Sequence, residues 1–461
     1  MRHNKINNKH LLLLSSSLSS LSSLSSLSSL LVLVNIFFCT FNFSCSSNVL
    51  VTAPSNHPSA PSAPSAVNVG LNAPSEGPYK SLGADAREGA LLAQEEINQS
   101  GGILGKKLEL VITDSKSSHM LAVKNIELLS KEHKVKAIIT GEASSIIVAQ
   151  AKVANQQKIP MITIFGSASS VTGEEGRKYI FRESHDVYAA GAVLSAYLNT
   201  HFVGENYYYI TASYLWGYSS EEVFRRFTNT TDKNKHGGSL IPFPFAVEDD
   251  YLEALDNAEK SQAQVLILSL YGDQMVEMVK LIEKRKLKGK MQVVITGLTS
   301  KMAEDAGVKA MEGVVGAALW HWKVPYQYNY SRGISFVEKY LKRFFHYPTL
   351  VAASSYNSLH EYKGAVERAN SFNGEDVVRA LENHQYIGVK DRQYWRDFDH
   401  QSIQTMYVIK YTASSSANSG NNFREGENFE IVNSLEGEKA FIQRADWNKN
   451  RLMHSKSLLL R

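Results

Sequence analysis

Residues 141–145, Gly-Glu-Ala-Ser-Ser, lie where a predicted strand gives way to a predicted helix. The first N–H groups of a helix have no partner within the helix, and they carry a partial positive charge. Together with the hydroxyls of Ser144 and Ser145, these groups could bind the carboxylate of a small ligand. The same serines could instead cap the helix, so both interpretations stand at this point.

Aromatic and acidic residues follow two strands in the second half of the chain. Trp216 and Tyr218 come soon after the predicted strand 206–211. A large ring there could cover an apolar ligand or attract a cation, or it could be a structural aromatic of the surface. Tyr271 and Asp273 follow the apolar strand 264–270. Asp273 could pair with an ammonium group, or it could cap the helix predicted from residue 274.

Patterns typical of catalysis are missing from the sequence. It has no G-x-S-x-G, no Walker motif and no H-E-x-x-H. Its two cysteines, Cys39 and Cys45, both precede the predicted globular region, which therefore has no thiol nucleophile and no cysteine metal site. Asp397, Asp399 and His400 do not have the spacing of a metal-ligand set, and we expect them to be structural. The sequence predicts a binding protein, not an enzyme, without cofactor or metal.

Strands and helices alternate twice along the chain. Two such sets predict two similar lobes, each an α/β unit with a parallel sheet wound on both faces. Ligands of such sheets bind outside the carboxyl ends of the strands, which is where the residues above lie. The predicted strands are 67–71, 107–113, 135–140, 160–165, 206–211, 239–243, 264–270, 291–296 and 313–317, and the predicted helices are 83–99, 118–132, 145–157, 219–228, 251–261 and 274–285.

The charge of the chain is small for its size. The 461 residues include 49 basic and 45 acidic ones, for a net charge of +4. These charges are interspersed, whereas a nucleic-acid binder concentrates positive charge on one face. We therefore expect no nucleic-acid partner.

The first 66 residues differ in composition from the rest. Residues 1–45 join a basic start to a Leu/Ser-rich and apolar stretch, which predicts a signal peptide and export to the periplasm or the outer face of the membrane. A small residue precedes Cys45, as in bacterial lipoproteins, although Asn42 departs from their pattern. Cys45 could carry a lipid, or it could be incidental. Residues 46–66 are rich in Ser, Ala and Pro, which predicts an extended tether.

An ordered series of short motifs resembles the leucine/isoleucine/valine-binding proteins, which are type I periplasmic substrate-binding proteins of ABC transporters. No single motif is decisive, but their order along residues 67–447 is specific. The motifs are EEIN (95–98), GGILGKKLEL (101–110) with Asp114, residues 141–145, IPMI (159–162) with Gly166, Ser167 and Thr172, FR (181–182), WG (216–217), YGD (271–273), YPT (347–349) and WRDFDHQ (395–401).

This resemblance implies two lobes joined by three hinge crossings. Lobe 1 would comprise residues 67–185 and 319–401, and lobe 2 residues 186–318 and 402–461, with 414–422 as a surface loop. Gly166 and Ser167 would form a second ligand-contact loop, in which a glycine lets a ligand approach the backbone closely. Asp186, at a crossing, would be a second candidate partner for an ammonium group.

The resemblance further implies capture of a small polar ligand, with an amino acid as the first expectation, and its delivery to an ABC transporter permease. The chain departs from the family in two places. The loop 297–300, with Thr299, has no acid where branched-chain amino-acid binders carry one, and Leu82 replaces an aromatic residue, although Tyr79 is nearby. An amide or urea-like ligand therefore stays open, as does a sensory protein of the same fold.

Overall fold

The computed structural model describes residues 66–412 and 428–449. The predicted signal peptide, Cys45, all of the predicted tether but its last residue, and the predicted loop 414–422 lie outside the described residues. Within them, no helix combines the length and the apolar character that crossing a membrane requires. The first strand begins at Ala66, one residue before the predicted start of lobe 1.

Lobe 1 is built on a parallel sheet whose strands alternate with helices along the chain. In the described residues this sheet has five strands in the order β2-β1-β3-β4-β5, and apolar side chains cover both of its faces. The elements are β1 (Ala66–Asn72), α1 (Lys80–Gln99), β2 (Lys107–Thr113), α2 (His119–Lys131), β3 (Ile138–Thr140), α3 (Ser144–Gln156), β4 (Met161–Thr163) and β5 (Ile180–Arg182).

Lobe 2 repeats this design with a wider sheet. Its described strands lie in the order β15-β14-β10-β9-β8-β6-β7, and β6 and β8 are buried along their whole length. The elements are α4 (Val187–His201), β6 (Tyr207–Ala212), α5 (Leu215–Phe227), β7 (Gly238–Ile241), α6 (Glu248–Lys260), β8 (Val265–Ser269), α7 (Asp273–Lys284), β9 (Gln292–Ile295), α8 (Ser300–Ala306), α9 (Val308–Met311), β10 (Val315–Ala318), β14 (Met406–Tyr411), β15 (Phe429–Leu435) and α14 (Gly437–Ala440).

The two-lobed α/β fold is thus as predicted, but the second sheet is not purely parallel. β14 pairs antiparallel with β10, and β15 pairs antiparallel with β14. Both strands follow the last crossing between the lobes. Antiparallel neighbours need no helical crossover, whereas parallel neighbours do.

Between β10 and β14 the chain returns to the helices of lobe 1. Helix α12 packs along α1, where the Ser355 hydroxyl donates to the Ala86 carbonyl at 2.8 Å. The lobe boundaries at residues 185, 318 and 401 stay predictions. The segment contains α10 (Lys323–Gln327), α11 (Ser331–Phe344), α12 (Leu350–Ala369), α13 (Gly374–Leu381), β11 (Gln385–Ile387), β12 (Arg392–Trp395) and β13 (Ser402–Ile403).

Buried polar side chains join the places where the chain passes between the lobes. Gln401 Nε2 donates to the carbonyls of Arg182 and Ser184, at 3.2 and 2.7 Å. Lys390 Nζ donates to the carbonyls of Leu319 and Thr405, at 2.7 Å each. These bonds satisfy backbone groups that have left one sheet and have not yet entered the other.

Gly89 allows α1 and α12 to approach closely. A Cβ atom at Gly89 would lie 2.1 Å from the Ala352 carbonyl oxygen, far inside van der Waals contact. We expect Gly89→Ala to lower the free energy of unfolding by about 1–3 kcal/mol, although alanine favours a helix intrinsically. Urea denaturation would measure this. Gly289→Ala is the control, since a Cβ there meets nothing within 4 Å. Equal stability of the two variants would contradict the close packing.

Candidate functional site

Aromatic side chains from both lobes meet at the carboxyl ends of the parallel strands. Tyr79 and Phe165 come from lobe 1, and Tyr214, Trp216 and Tyr271 come from lobe 2. We call these five residues the interlobe aromatic cluster. The ring of Tyr271 lies 5.7 Å from Tyr79, 5.5 Å from Phe165 and 6.4 Å from Trp216, measured between centroids. The ring of Tyr214 lies 5.9 Å from that of Trp216.

Three of the five cluster residues are buried, and Phe165 and Tyr214 are partly buried. Trp216 is 8% exposed, and Tyr79 and Tyr271 are buried as well. Burial raises the pKa of Tyr79 to about 12, and it raises the pKa values of Tyr214 and Tyr271 well above 10. All three phenols are therefore neutral at physiological pH.

Backbone contacts also join the lobes beside the cluster. The Ser169 N–H donates to Ser219 Oγ at 3.3 Å, from the loop after β4 to helix α5. Gly272 has a φ of +61°, and a Cβ on it would lie 3.8 Å from the Pro78 carbonyl oxygen. The described lobes are therefore closed on each other at the carboxyl edges of their sheets, the arrangement in which a binding cleft would enclose a ligand.

The residues predicted in lobe 1 lie in two adjacent loops. Ser144 is buried, and its Oγ accepts from the Ala168 N–H at 3.0 Å, so it connects the loop after β3 to the loop after β4. Ser145 is exposed at the start of α3. Gly166 has a φ of +91°, a conformation that favours glycine. Ser167 is buried, and its carbonyl accepts from the Val187 N–H at 2.7 Å.

The residues predicted in lobe 2 are divided by the structure. Trp216 and Tyr271 are in the aromatic cluster. Tyr218 is 48% exposed and lines a groove beside the edge strand β7. Asp273 is an exposed residue in the first turn of α7. Thr299 caps α8, and its Oγ1 accepts from the Met302 N–H at 3.3 Å. Tyr218, Asp273 and Thr299 therefore have no place in the cluster itself.

Asp186 has structural partners. One carboxylate oxygen accepts from the Ala189 N–H at 2.8 Å and so caps α4, and the other lies 3.4 Å from Nη2 of the buried Arg182. The carboxylate is buried and already neutralised by a guanidinium. This geometry favours a structural role over contact with a ligand's ammonium group.

Thr299 also borders a small cavity near the hinge. The cavity has a volume of about 30 Å³ and lies between α1, the start of α12 and the loop after β9. Its lining includes Asp85, Lys301 and His321. A space of this size accommodates about one water molecule, so it is too small for the expected ligand.

The sequence interpretation missed part of the site. Phe165 and Tyr214 were not singled out, although Tyr214 is two residues from Trp216. Tyr79 occupies the cluster, while Leu82 is buried beside it in the core. Glu142 is fully buried in the motif 141–145, in which the serines are the predicted ligand contacts. Burial raises the pKa of Glu142 to about 7. An acid inside a predicted carboxylate-binding loop was the signal that could have identified it.

Residues of the late Asp/His stretch have partners within the protein. Asp399 forms an ion pair with Arg396 through both oxygens. His400 stacks on Phe181 with 4.1 Å between centroids, and its Nε2 lies 3.0 Å from a carboxylate oxygen of Glu382. Within residues 66–412 and 428–449, no three His, Cys, Asp or Glu side chains are grouped so that they could hold a metal ion.

Comparison with known proteins gives a consistent result. Residues 66–418 match the family model described as periplasmic binding protein. A leucine-, isoleucine-, valine-, threonine- and alanine-binding protein of Pseudomonas aeruginosa is 32% identical over 116 residues. That match spans 25% of this chain and 31% of the relative, so it covers less than a third of the relative's length.

Solved structures match over more of the chain. An amino acid ABC transporter substrate-binding protein from Pseudomonas fluorescens superposes with a TM-score of 0.72 and 20% identity, over 83% of this chain and 98% of its own. A leucine-binding protein from Thermotoga maritima gives a TM-score of 0.68 and 20% identity, over 81% and 99% respectively. At these identities the likeness concerns the fold.

Proposed function

The chain belongs to the periplasmic binding protein family, and on this premise we propose that it captures a small polar solute between its lobes and delivers it to an ABC transporter permease. The observation that supports this most directly is the interlobe aromatic cluster. Its rings come from the segments that follow the carboxyl ends of strands in both lobes, where α/β sheets bind ligands. A ligand that contacts both lobes stabilises the closed form over the open one, which is the signal a transporter would receive.

An amino acid is the first candidate ligand. The name of the Pseudomonas aeruginosa relative lists five amino acids, and the chain resembles binders of this class in the order of its motifs. Amides and urea-like compounds are the second candidate. The loop 297–300 has no acid, and Gly297 there lies against the indole of Trp216, where a Cβ would be 3.0 Å from the ring.

We further propose that the protein acts outside the cytoplasm and catalyses no reaction. Residues 1–45 would direct export, and Cys45 would carry a lipid if the lipoprotein pattern is used. Metabolic labelling with a radioactive fatty acid tests this anchor, because Cys45→Ser should then abolish incorporation. Retained incorporation would refute lipidation at Cys45.

A ligand panel tests the proposed function. The full chain would be heated with leucine, isoleucine, valine, threonine, alanine, acetamide and urea, and unfolding would be followed by circular dichroism. A ligand that binds only the folded form at 100 times its Kd adds about 2.7 kcal/mol of stability, so the melting temperature should rise. A folded protein whose melting temperature none of these solutes raises would contradict the proposal.

Two tyrosines of lobe 2 distinguish the proposed cleft from its surroundings. We expect Tyr271→Leu to weaken binding of the panel's best ligand about tenfold or more, because an aromatic contact contributes about 0.5–1.5 kcal/mol beyond its buried area. Tyr218→Leu is the matched control and should change Kd by less than about twofold, since Tyr218 is 48% exposed and lies outside the cluster. Calorimetry measures both. The opposite ranking would place the cleft at the groove beside β7.

A further inference from the structure

Glu142 is an unusual residue for the position that it occupies. It lies in the loop between β3 and α3, two residues before Ser144, at the carboxyl edge of the lobe 1 sheet. Its side chain is 0% exposed. Free N–H groups at a helix start favour a ligand's carboxylate, but a buried acid at the same place repels one.

The polar atoms around Glu142 lack partners. Within the described residues, neither carboxylate oxygen of Glu142 has a hydrogen bond of good geometry, and neither do Ser115 Oγ and Gln150 Nε2. Gln150 is held in place through its other atom, since its Oε1 accepts from Thr140 Oγ1 at 2.9 Å. Ser115 and Gln150 are near enough to lower the pKa of Glu142, but these two donors leave lone pairs of a fully buried carboxylate unfilled, and a further donor would satisfy them.

The electrostatics of Glu142 also favour a cation. Burial raises the pKa of Glu142 to about 7, Ser115 and Gln150 lower it in part, and the carboxylate of Asp114 raises it further. Asp114 itself is held ionised by Ser75 and the Lys116 N–H, because these hydrogen bonds outweigh the effect of burial on its pKa. A positive charge placed beside Glu142 would restore its ionised form.

Tyr79 connects Glu142 to the interlobe aromatic cluster. Burial is the main cause of the raised pKa of Tyr79, and the charge of Glu142 raises it further, which puts the two side chains within electrostatic range of each other. On its other side, the Tyr79 ring stacks on Tyr271 with an interplanar angle of 24°. The Tyr79 hydroxyl is buried and has no hydrogen bond of good geometry in the described residues. A carboxylate beside aromatic faces is the combination that binds ammonium groups, since rings attract cations through their faces.

We propose that Glu142 binds a cationic nitrogen of the ligand, so that lobe 1 receives the ammonium end of the molecule at the carboxyl edge of its sheet. This inference rests on the proposed function and specifies its ligand class as alkylammonium compounds, with or without a carboxylate at the other end. The Ser115 hydroxyl and the Gln150 amide would orient the Glu142 carboxylate toward the incoming charge.

Calorimetry on the full chain tests this with Glu142→Gln. The probes are n-butylammonium, tetramethylammonium and leucine, each compared with the neutral butyramide. We expect the cationic probes to bind the wild type and the variant to bind them about 100-fold more weakly, because it keeps the shape and loses the charge. Butyramide binding should be unaffected. Glu361→Gln, the same change at a buried acid of α12, is the matched control and should leave all affinities unchanged.

Proton release gives a second readout that does not depend on the size of the affinity change. At pH 6 Glu142 is largely protonated, so binding of an ammonium ion should release close to one proton from the wild type and none from Glu142→Gln. The charged and titratable neighbours to consider are Asp114 and Tyr79. Asp114 is already ionised at this pH, and Tyr79 stays neutral. Titrations in buffers of different ionisation enthalpy measure the release.

The outcomes separate the two proposals. If neutral amides bind and no ammonium compound does, or if Glu142→Gln changes cation affinity less than twofold, the role of Glu142 is overturned while the solute-binding function stands. If no solute of either kind binds the folded wild type, both proposals fail. A melting temperature of Glu142→Gln at or above that of the wild type shows that weakened binding is not a folding defect.

Discussion

Arg182→Met should lower the free energy of unfolding by about 3–5 kcal/mol, the range typical of breaking a buried ion pair from one side. The guanidinium is 0% exposed and holds several elements at once. It donates to Gln401 Oε1 at 2.6 Å, to the Ala168 carbonyl at 2.8 Å and to Thr172 Oγ1 at 2.7 Å. Methionine would leave these acceptors unsatisfied, and it would leave the Asp186 carboxylate without its cation. Urea denaturation followed by circular dichroism measures the loss.

Two further variants separate the cause of this loss. Arg343→Met makes the same change at a side chain that is 51% exposed, in an ion pair of 3.2 Å with Glu95, and it should cost at most about 1 kcal/mol. Combining Arg182→Met with Asp186→Asn should recover part of the stability, because the uncompensated charge is removed. A cost below about 1 kcal/mol for Arg182→Met alone would contradict the importance of this buried pair.

Glu361→Gln should raise the stability at pH 8 by up to about 3 kcal/mol and leave it nearly unchanged at pH 4. Burial raises the pKa of Glu361 from 4.5 to about 7, although Arg368 lowers it in part. Because the pKa of Glu361 is higher in the folded state than in the unfolded state, its protonation stabilises the folded protein fully below pH 4.5. This contribution is lost as the pH rises through 7. Glutamine has no such loss, and its oxygen can still accept from Trp395 Nε1, which is 3.2 Å from the carboxylate.

Denaturation at several pH values between 4 and 8 would measure this effect. Glu436→Gln is the control, because its side chain is 78% exposed and the change should alter stability by less than about 0.5 kcal/mol at any pH. If the stability difference between wild type and Glu361→Gln were the same at pH 4 and pH 8, Glu361 would not hold its proton in the folded state.

Much of the fold could be predicted because its signals are local. Alternating strands and helices leave a pattern within a few residues, and the motif series predicted the family. Strand direction is not local: the residues of β14 are compatible with either direction, so the antiparallel edge of lobe 2 could not be read from them. The return segment was predicted through resemblance alone, since α12 finds its partner α1 far away in the sequence.

The site was only partly predictable for related reasons. Trp216 and Tyr218 looked equivalent, but α5 begins at Leu215, and two residues along a helix turn by about 200°, so the rings point apart. Asp186 has the chemistry both of a counter-ion and of a helix cap, and only the position of Arg182 distinguishes them. Tyr79 joins the cluster through Tyr271, which lies in the other lobe. No short window of sequence contains such a pair.

The packing of α1 against α12 has a consequence for biosynthesis. The hydrogen bond between Ser355 and Ala86 joins residues 269 positions apart, and the larger part of lobe 2, residues 186–318, is translated between them. The apolar face of α1, with Ala86 and Ala90, must therefore wait for its partner until the ribosome has made the chain beyond Ala369. Lobe 1 would leave the ribosome first but complete its packing late. Until α12 has been translated, the uncovered apolar face of α1 is a surface that a chaperone would bind.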